Sequence, residues 1–412
     1  MSKGIIEINL PESIRKGFED YVNGEEIAGQ NHYRDYGYVG HAVATELFHL
    51  LIAEREHQEV KKLLKIIKDR SEGKKFSALL VRGGAQDAEN EILPAPYNVK
   101  GFDYENDPYA RGKTGFTSEW FEQALGMLLG YSLFVDPHDH GGNKPSQITC
   151  PRKDQLEKAK TPSSVTTGEF SWHIEALHEN PLPTKGKVLQ HLKDIGLDLK
   201  SFAEKMGRST GSVIESIMEA RNKRVNGLIL SAIKNKETPT NILTSDELEV
   251  ALLAKFKKSG LGKIAALNVA FFAGSSELKN EGKIGFIGNM IELDAKGKIK
   301  ELRLNVNEGR MMYTGNDEAG QKLFDEFYSF LKNEKIGHDI LLQRGDYLIM
   351  NNQSVVHRRD DYAAADFEEP KDAGLFREIR RLVRQYLSEP EAKKSFVNAL
   401  GEGEKAMLRG VR

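Results

Sequence analysis

The segment FSWHIEALHENPLP, residues 170–183, concentrates histidines and glutamates that could bind a metal ion. In an extended strand the side chains at positions i and i+2 point to the same side, so His173 and Glu175 can converge while Ile174 faces apolar packing. This pair would form half of a chelating site. The alternative is a polar strand end that leads into a proline-containing turn.

A second candidate lies far downstream, in LLQRGDYLIMNNQSVVHRRDDY, residues 341–362. A Gly-Asp turn at 345–346 precedes an apolar strand, and a second strand ends in His357. Together with His173 and Glu175, this residue would give two imidazoles and one carboxylate. Such a set on one face of a metal leaves open positions for a co-substrate and O₂, as in non-haem Fe(II) oxygenases.

Several arginines follow in GLFREIRRLVRQY, residues 374–386. A dicarboxylate co-substrate needs a planar, two-pronged donor for its distal carboxylate, which arginine supplies and lysine does not. Arg377 and Arg381, four positions apart, are the candidates. The alternative is a solvated helix face with charges spaced four residues apart.

The composition limits the classes of function. The chain has 412 residues and a formal net charge of −2, so it lacks the global field typical of proteins that bind nucleic acids or membrane surfaces. Its single cysteine, Cys150, excludes an intramolecular disulfide and fits a reducing compartment. The N-terminus has no apolar run of signal-peptide or membrane-span length. We therefore expect a cytoplasmic protein without nucleic-acid or membrane partners.

The pattern of apolar residues predicts the elements that would position these side chains. Residues 39–69 and 118–134 have the spacing of amphipathic helices, and residues 316–334 form a third candidate helix. Short apolar runs predict strands at 76–86, 225–233, 283–294 and 346–357. The glycine-, proline-, serine- and threonine-rich stretch 135–170 predicts loops with short extended pieces.

Residues 183–224 interrupt this pattern with helical segments and are interpreted as an insertion, serving as a lid or as a dimer contact. Within it, LDLKSFAEKMGRSTGSVIESI, residues 197–217, has the spacing of a helix-turn-helix. A DNA-binding function would require a basic recognition helix. However, the segment 209–220 contains two glutamates and no arginine or lysine before Arg221.

Five stretches resemble, in order, the clavaminate synthase-like branch of Fe(II)/2-oxoglutarate-dependent oxygenases, which includes hydroxylases of free arginine, asparagine and lysine. These are ALLVRGG, LLGYSLFVDPHDHGG, HIEALH, residues 226–256 and GDYLIMNNQSVVHRR at 345–359. The resemblance covers most of residues 75–385. It implies a mainly β chain with flanking helices, folded as a double-stranded β-helix (a cupin-like jelly roll).

The same resemblance implies roles for individual residues. His173, Glu175 and His357 match the iron ligands and Arg377 the arginine that binds 2-oxoglutarate, with Arg381 at the second arginine of that motif. Apart from the resemblance, His178 is assigned to substrate binding because it is close to Glu175 in sequence; the alternative is that it caps the following turn. The chain departs from the family at Ile174, where threonine is usual, and its gap between His357 and Arg377 is longer than usual.

These observations predict one oxygenase domain over residues 1–412, with the insertion at 183–224. Its cofactors would be Fe(II), 2-oxoglutarate and O₂, and its substrate a free amino acid or a small amino-acid-derived metabolite. Hydroxylation is expected rather than halogenation, since Glu175 occupies the position that a halide would need. A homodimer is compatible with this prediction. The alternatives are a jelly-roll binding protein without turnover and a helix-turn-helix regulator.

Overall fold

The protein combines β-sheets and helices in a layered arrangement. The structure is a computed structural model that describes residues 4–24, 36–86, 117–134, 146–149, 169–175, 182, 184–218, 225–235, 238–273, 283–360, 380–389 and 396–410. The strands are β1 (Ile5–Asn9), β2 (Ala78–Arg82), β3 (Ser132–Phe134), β4 (Ser146–Thr149), β5 (Phe170–His173), β6 (Gly227–Asn235), β7 (Thr240–Thr244), β8 (Asn268–Ala273), β9 (Lys283–Asn289), β10 (Ile291–Leu293), β11 (Ile299–Leu302), β12 (Met311–Tyr313), β13 (His338–Ile340), β14 (Tyr347–Asn351), β15 (Val355–Arg359) and β16 (Arg380–Ser388).

The helices lie on the outside of these sheets, and along the chain they alternate with groups of strands. They are α1 (Glu12–Asn23), α2 (Tyr36–Ala53), α3 (Gln58–Ser71), α4 (Thr117–Leu128), α5 (Lys185–Asp194), α6 (Leu199–Lys205), α7 (Thr210–Met218), α8 (Ser245–Ala265), α9 (Glu318–Asn333), α10 (Phe396–Ala399) and α11 (Glu402–Arg409).

Two sheets form the centre of the molecule. The larger sheet has the strand order β1-β2-β14-β6-β16-β3, with β4 also paired to β16. The smaller sheet has the order β13-β7-β15-β5, and all of its pairs are antiparallel. Two further groups, β12-β8-β9 and β10-β11, lie in the part of the chain between β7 and β13.

An apolar core fills the space between the two central sheets. The larger sheet contributes Leu230 and Leu348, and the smaller sheet contributes Ile242 and Val355. Because successive side chains of a strand point to opposite faces, each sheet also presents a second apolar face. The helices cover these outer faces.

Helices α1 to α4 pack on the outer face of the larger sheet, where Val81, Ile229 and Ile349 contact them in one cluster. The single helix expected at 39–69 is wrong in one respect, because α2 and α3 are separate helices. The break falls at 54–57, four consecutive polar residues that offer no side chain to continue the apolar stripe. The helix expected at 118–134 ends at Leu128, and Gly130 adopts a positive φ of 79° before β3.

Helices α8 and α9 pack on the outer face of the smaller sheet, against Trp172, Leu243 and Val356. A capping box fixes the start of α8 directly after β7. The Thr244 hydroxyl accepts a hydrogen bond from the Glu247 backbone N–H, and the Glu247 carboxylate accepts one from the Thr244 backbone N–H. The strand thus passes into the helix without an intervening loop.

The helices α5, α6 and α7 occupy most of the predicted insertion at 183–224. They pack as a group on the β12-β8-β9 sheet, where their apolar side chains bury Ala270, Phe272, Ile284 and Ile287. Polar contacts add to this packing: the His191 ring donates to the Ile287 carbonyl over 2.7 Å, and the Asn268 amide donates to the Ile195 carbonyl over 3.0 Å.

This packing bears on the helix-turn-helix alternative. The second helix of that motif is α7, and its side chains Val213, Ile214 and Ile217 are buried against the protein's own sheet. Its exposed positions include Glu215 and no lysine or arginine. A helix face that exposes Glu215 and no cationic side chain lacks the groups that bind the DNA backbone.

The predicted combination of sheets with flanking helices is confirmed as a mixed helix and sheet fold. The description as mainly β is too narrow, since helical layers cover the outer faces of both central sheets. Among the helices in the described ranges, none has the length and apolar character needed to span a membrane.

The burial of the insertion leads to a stability prediction. Phe202 is fully buried between α6 and its neighbours, so Phe202→Ala should lower the free energy of unfolding by about 3–5 kcal/mol, measured by urea denaturation. Leu189 on α5 is 41% exposed and serves as the control; Leu189→Ala should change this free energy by less than about 0.5 kcal/mol. Equal effects of the two variants would contradict this packing.

Candidate metal centre

The pairing of β5 with β15 brings the two predicted histidines together. In this antiparallel pair His357 lies directly opposite His173. Their ring centroids are 4.2 Å apart, although the residues are separated by 357 − 173 = 184 positions in sequence. Both side chains lie on the sheet face that turns towards the apolar core between the sheets, because His357 shares its face with Ile242, which lies opposite it on β7.

Glu175 completes the cluster. One of its carboxylate oxygens, Oε1, is 3.7 Å from Nε2 of His173 and 3.5 Å from Nε2 of His357. The three side chains are only 3%, 11% and 10% exposed for His173, Glu175 and His357. Two imidazoles and a carboxylate buried this closely are costly unless a cation or protons balance them.

The hydrogen bonds of His173 test whether a metal ion fits this cluster. Its Nδ1 lies 2.7 Å from the carbonyl oxygen of Ser171, so Nδ1 carries the proton and donates it. The other nitrogen, Nε2, is therefore the unprotonated one, and it is buried without a hydrogen bond. A backbone carbonyl that fixes the tautomer in this way is typical of metal-binding histidines.

The distances also fit. Metal bonds of about 2.1 Å at right angles place neighbouring ligand atoms about 3 Å apart. The observed separations of 3.5 and 3.7 Å are slightly wider, so small side-chain adjustments would bring all three atoms onto one ion. The donor set of two nitrogens and one oxygen occupies one face of such an ion and leaves other positions open.

Glu175 is held in place by a residue of another segment. Strand β5 ends at His173, and Glu175 lies in a turn, so the expected convergence by strand alternation does not explain its position. Instead, the Asn352 side chain accepts a hydrogen bond from the Glu175 backbone N–H and donates one to the Glu175 carbonyl, both at 2.9 Å. Asn352 also donates to the carbonyl of Val225.

The second edge of β5 is paired as well. The Ile174 N–H donates to the Leu304 carbonyl, and the Val306 N–H donates to the Trp172 carbonyl. The Tyr328 hydroxyl donates to the Val306 carbonyl over 2.6 Å. Burial, and then nearby carboxylates, raise the pKa of Tyr328 to about 12, so this phenol stays protonated and keeps its hydrogen bond at physiological pH.

The other predicted site residues are placed less completely. Arg381 lies on β16, opposite Lys234 of β6, in the larger sheet. Arg377 and His178 lie outside the described residues. Sequence reasoning did not identify Asn352 as the residue that holds Glu175, although it lies within the NNQSVVH motif. No pattern in the sequence indicated that the segment 304–307 pairs with β5.

The hold of Asn352 on Glu175 predicts a defect in metal binding. Asn352→Ala should weaken Fe(II) binding about 10- to 100-fold, since the backbone of the carboxylate ligand loses both side-chain hydrogen bonds. Anaerobic equilibrium titration with Fe(II) measures this change. The neighbouring Gln353→Ala is the control and should bind Fe(II) normally. An unchanged affinity in Asn352→Ala would show that Glu175 is positioned by other contacts.

Part of the chain matches a known protein family. The family model for the taurine catabolism dioxygenase TauD, TfdA family, matches residues 284–384, a stretch that contains His357 and Arg381. A comparison with curated proteins by sequence gives no match.

Solved structures share the fold along most of the chain. The non-heme iron oxygenase OrfP with Fe, succinate and (3R,4R)-dihydroxy-L-Arg superposes with a TM-score of 0.58 at 13% identity, covering 96% of this chain and 98% of its own. OrfP with Fe and alpha-ketoglutaric acid gives a TM-score of 0.56 at 14% identity, with 94% and 95% covered. Asparagine oxygenase with Fe(II), 2S,3S-3-hydroxyasparagine and succinate gives 0.57 at 12%, with 93% of each chain covered.

The shared fold covers more than nine-tenths of the chain in each of these three comparisons. The TauD, TfdA family match over 284–384 and the fold shared with OrfP and asparagine oxygenase along nearly the whole chain agree with the resemblance to the clavaminate synthase-like Fe(II)/2-oxoglutarate oxygenases that the sequence shows.

Proposed function

We propose that the protein is an Fe(II)- and 2-oxoglutarate-dependent oxygenase that hydroxylates a free amino acid or a small amino-acid-derived metabolite. The observation that carries this proposal is the convergence of His173, Glu175 and His357, with the buried Nε2 of His173 lacking a hydrogen bond. The similar solved structures support it, since they contain Fe, alpha-ketoglutaric acid, succinate and hydroxylated arginine or asparagine.

The proposal includes the finer description of the fold as a double-stranded β-helix. The two central sheets enclose an apolar core, and the metal ligands come from the smaller sheet at the edge of that core. It also treats residues 1–412 as one oxygenase domain in which 183–224 is an insertion. The packing of α5 to α7 on β8 and β9 favours a fixed support over a swinging lid.

The reaction divides between the cofactors and the chain. Bound Fe(II), 2-oxoglutarate and O₂ would supply the oxidising chemistry, which converts 2-oxoglutarate to succinate and CO₂ while one oxygen enters a substrate C–H bond. The chain's part is to hold its three ligands on one side and to exclude water. Val355 and Ile242, both buried in the adjoining core, provide an apolar wall near His357.

The carboxylate of Glu175 has two effects in this arrangement. It offsets part of the charge of a divalent ion in a site with little solvent. It also occupies the position that a halide would need in a halogenase, so hydroxylation or a related oxidation is the expected outcome. The Ser171 carbonyl keeps His173 in the tautomer that presents Nε2 to the ion.

A first test is turnover of 2-oxoglutarate. With Fe(II), O₂ and 2-oxoglutarate, the protein should form succinate slowly even when no amino-acid substrate is present. An anaerobic mixture of the protein with Fe(II) and 2-oxoglutarate should show a weak visible charge-transfer band. His173→Ala, Glu175→Ala and His357→Ala should each lower succinate formation by more than about 100-fold and remove the band. The exposed histidine variant His57→Ala is the control. A metal-loaded protein that shows neither signal would refute the oxygenase assignment.

A second test concerns the arginine that binds 2-oxoglutarate, for which Arg377 and Arg381 are the proposed residues. Position 384 is a further candidate, because it lies two residues after the buried Leu382 and opposite the buried Leu230. Replacing the responsible arginine by lysine should raise KM for 2-oxoglutarate about 10-fold or more, since the two-pronged hydrogen bond is lost. Arg55→Lys, at an exposed position, is the control.

If none of the variants at 377, 381 and 384 changes this KM, the co-substrate is held by another group and the arginine assignment is wrong. The metal assignment would be unaffected by that result, because it rests on separate residues.

A further inference from the structure

Asn305 lies beside the metal centre, on a segment far from the ligands in sequence. Residues 304–306 pair with the second edge of β5, and Asn305 is directly opposite His173. The flanking residues make the backbone hydrogen bonds, so this is a non-hydrogen-bonded antiparallel pair. In such pairs the two side chains lie on the same side with Cβ atoms about 4.5–5.5 Å apart. The Asn305 carboxamide is therefore a neighbour of the His173 ring.

The orientation of the Asn305 carboxamide is fixed by a chain of hydrogen bonds. The Ser171 backbone N–H can only donate, and it donates to Oδ1 of Asn307 over 2.9 Å. The other end of the Asn307 side chain must then be its NH₂ group, which donates to Oδ1 of Asn305 over 2.8 Å. The Asn307 backbone N–H donates to the same oxygen over 3.3 Å. Backbone donors thus identify the oxygen of each amide without ambiguity.

This arrangement leaves the NH₂ group of Asn305 available. Its Nδ2 donates to no residue within the described ranges, and the side chain is partly exposed, whereas Asn307 is buried at 6% exposed. A buried amide that orients a partly exposed one is typical of the support of a binding residue. The available end carries two N–H donors and no acceptor.

The same network also holds the metal ligand. The Ser171 peptide donates its N–H to Asn307, and the Ser171 carbonyl accepts the Nδ1 proton of His173. Asn307 thus stabilises the strand position that orients His173 and, on its other side, the carboxamide of Asn305. A ligand bound next to the metal would meet Asn305 at a defined distance from the ion.

We propose that Asn305 donates a hydrogen bond from Nδ2 to a carboxylate oxygen of the amino-acid substrate. This inference rests on the proposed function and specifies it: the substrate presents an acceptor, not an ammonium or guanidinium group, at this point of the site. A hydrogen bond from an N–H donor is stronger when the accepting oxygen is negatively charged, and every free amino acid has at least one carboxylate. Asn307 is the positioning residue for this contact.

The experiment uses the metal-loaded protein and each of the twenty standard L-amino acids, supplied singly. The amino acid that most stimulates succinate formation is then titrated by anaerobic calorimetry, which measures binding apart from turnover. Asn305→Ala should raise both the dissociation constant and the KM of this amino acid about 10- to 100-fold. An unchanged dissociation constant in Asn305→Ala would overturn the proposal.

Asn305→Asp separates the two signs of charge. It keeps the acceptor that Asn307 needs and replaces the donor end by a carboxylate oxygen, so binding should be weaker than in Asn305→Ala. Binding as tight as, or tighter than, that of the original protein would show that a cationic group faces this position and would overturn the proposal. Asn333→Ala, an exposed asparagine on α9, is the matched control and should bind normally.

The positioning role of Asn307 has its own readout. Asn307→Ala should weaken amino-acid binding, and the loss in the double variant with Asn305→Ala should be smaller than the sum of the two single losses, because the Asn305 carboxamide depends on Asn307 for its orientation. If none of the twenty amino acids stimulates a protein that binds Fe(II) and forms succinate, a standard free amino acid is not the substrate and the Asn305 contact with it is wrong, while the oxygenase assignment stands. If the protein forms no succinate at all, the oxygenase assignment itself fails.

Discussion

The register between β5 and β15 is the constraint on which the site depends. It sets His173 opposite His357, so the separation of the two imidazoles follows from the spacing of neighbouring strands. A slip by one residue would turn His173 to the outer face and bring Trp172 into the metal centre. Trp172 is fully buried against α8 and α9 in the observed register, so packing on one face secures the chemistry on the other.

The third ligand obeys a different constraint. Glu175 stands beyond the strand, where no ladder of backbone bonds fixes it, and a side-chain amide replaces that ladder. Asn352 belongs to the turn between β14 and β15, and β15 carries His357. One turn therefore positions two of the three ligands, and a rigid link between the two sheets keeps their relative geometry.

The sequence was sufficient for the parts of the site that depend on local patterns. The His-x-Glu triplet and the strand-end histidine identified the cluster, and the apolar repeats located β6, β14 and α9. Strand alternation was an incomplete explanation for the approach of Glu175 to His173, because the strand ends at His173, two residues before Glu175. The hydrogen bond from Ser171 to Asn307 joins positions 136 residues apart, and no spacing rule connects them. Such contacts depend on the whole topology, which single-sequence periodicity does not determine.

Both neighbours of β5 are made later in the chain than β5 itself, at 304–306 and at 355–359. During synthesis, the four residues that end in His173 have neither strand partner until more than about a hundred further residues have left the ribosome. For much of its translation the nascent chain must therefore carry this strand unpaired, together with Trp172, which becomes buried only in the folded protein. The three ligands of the candidate metal centre therefore come together only after the C-terminal third of the chain has folded.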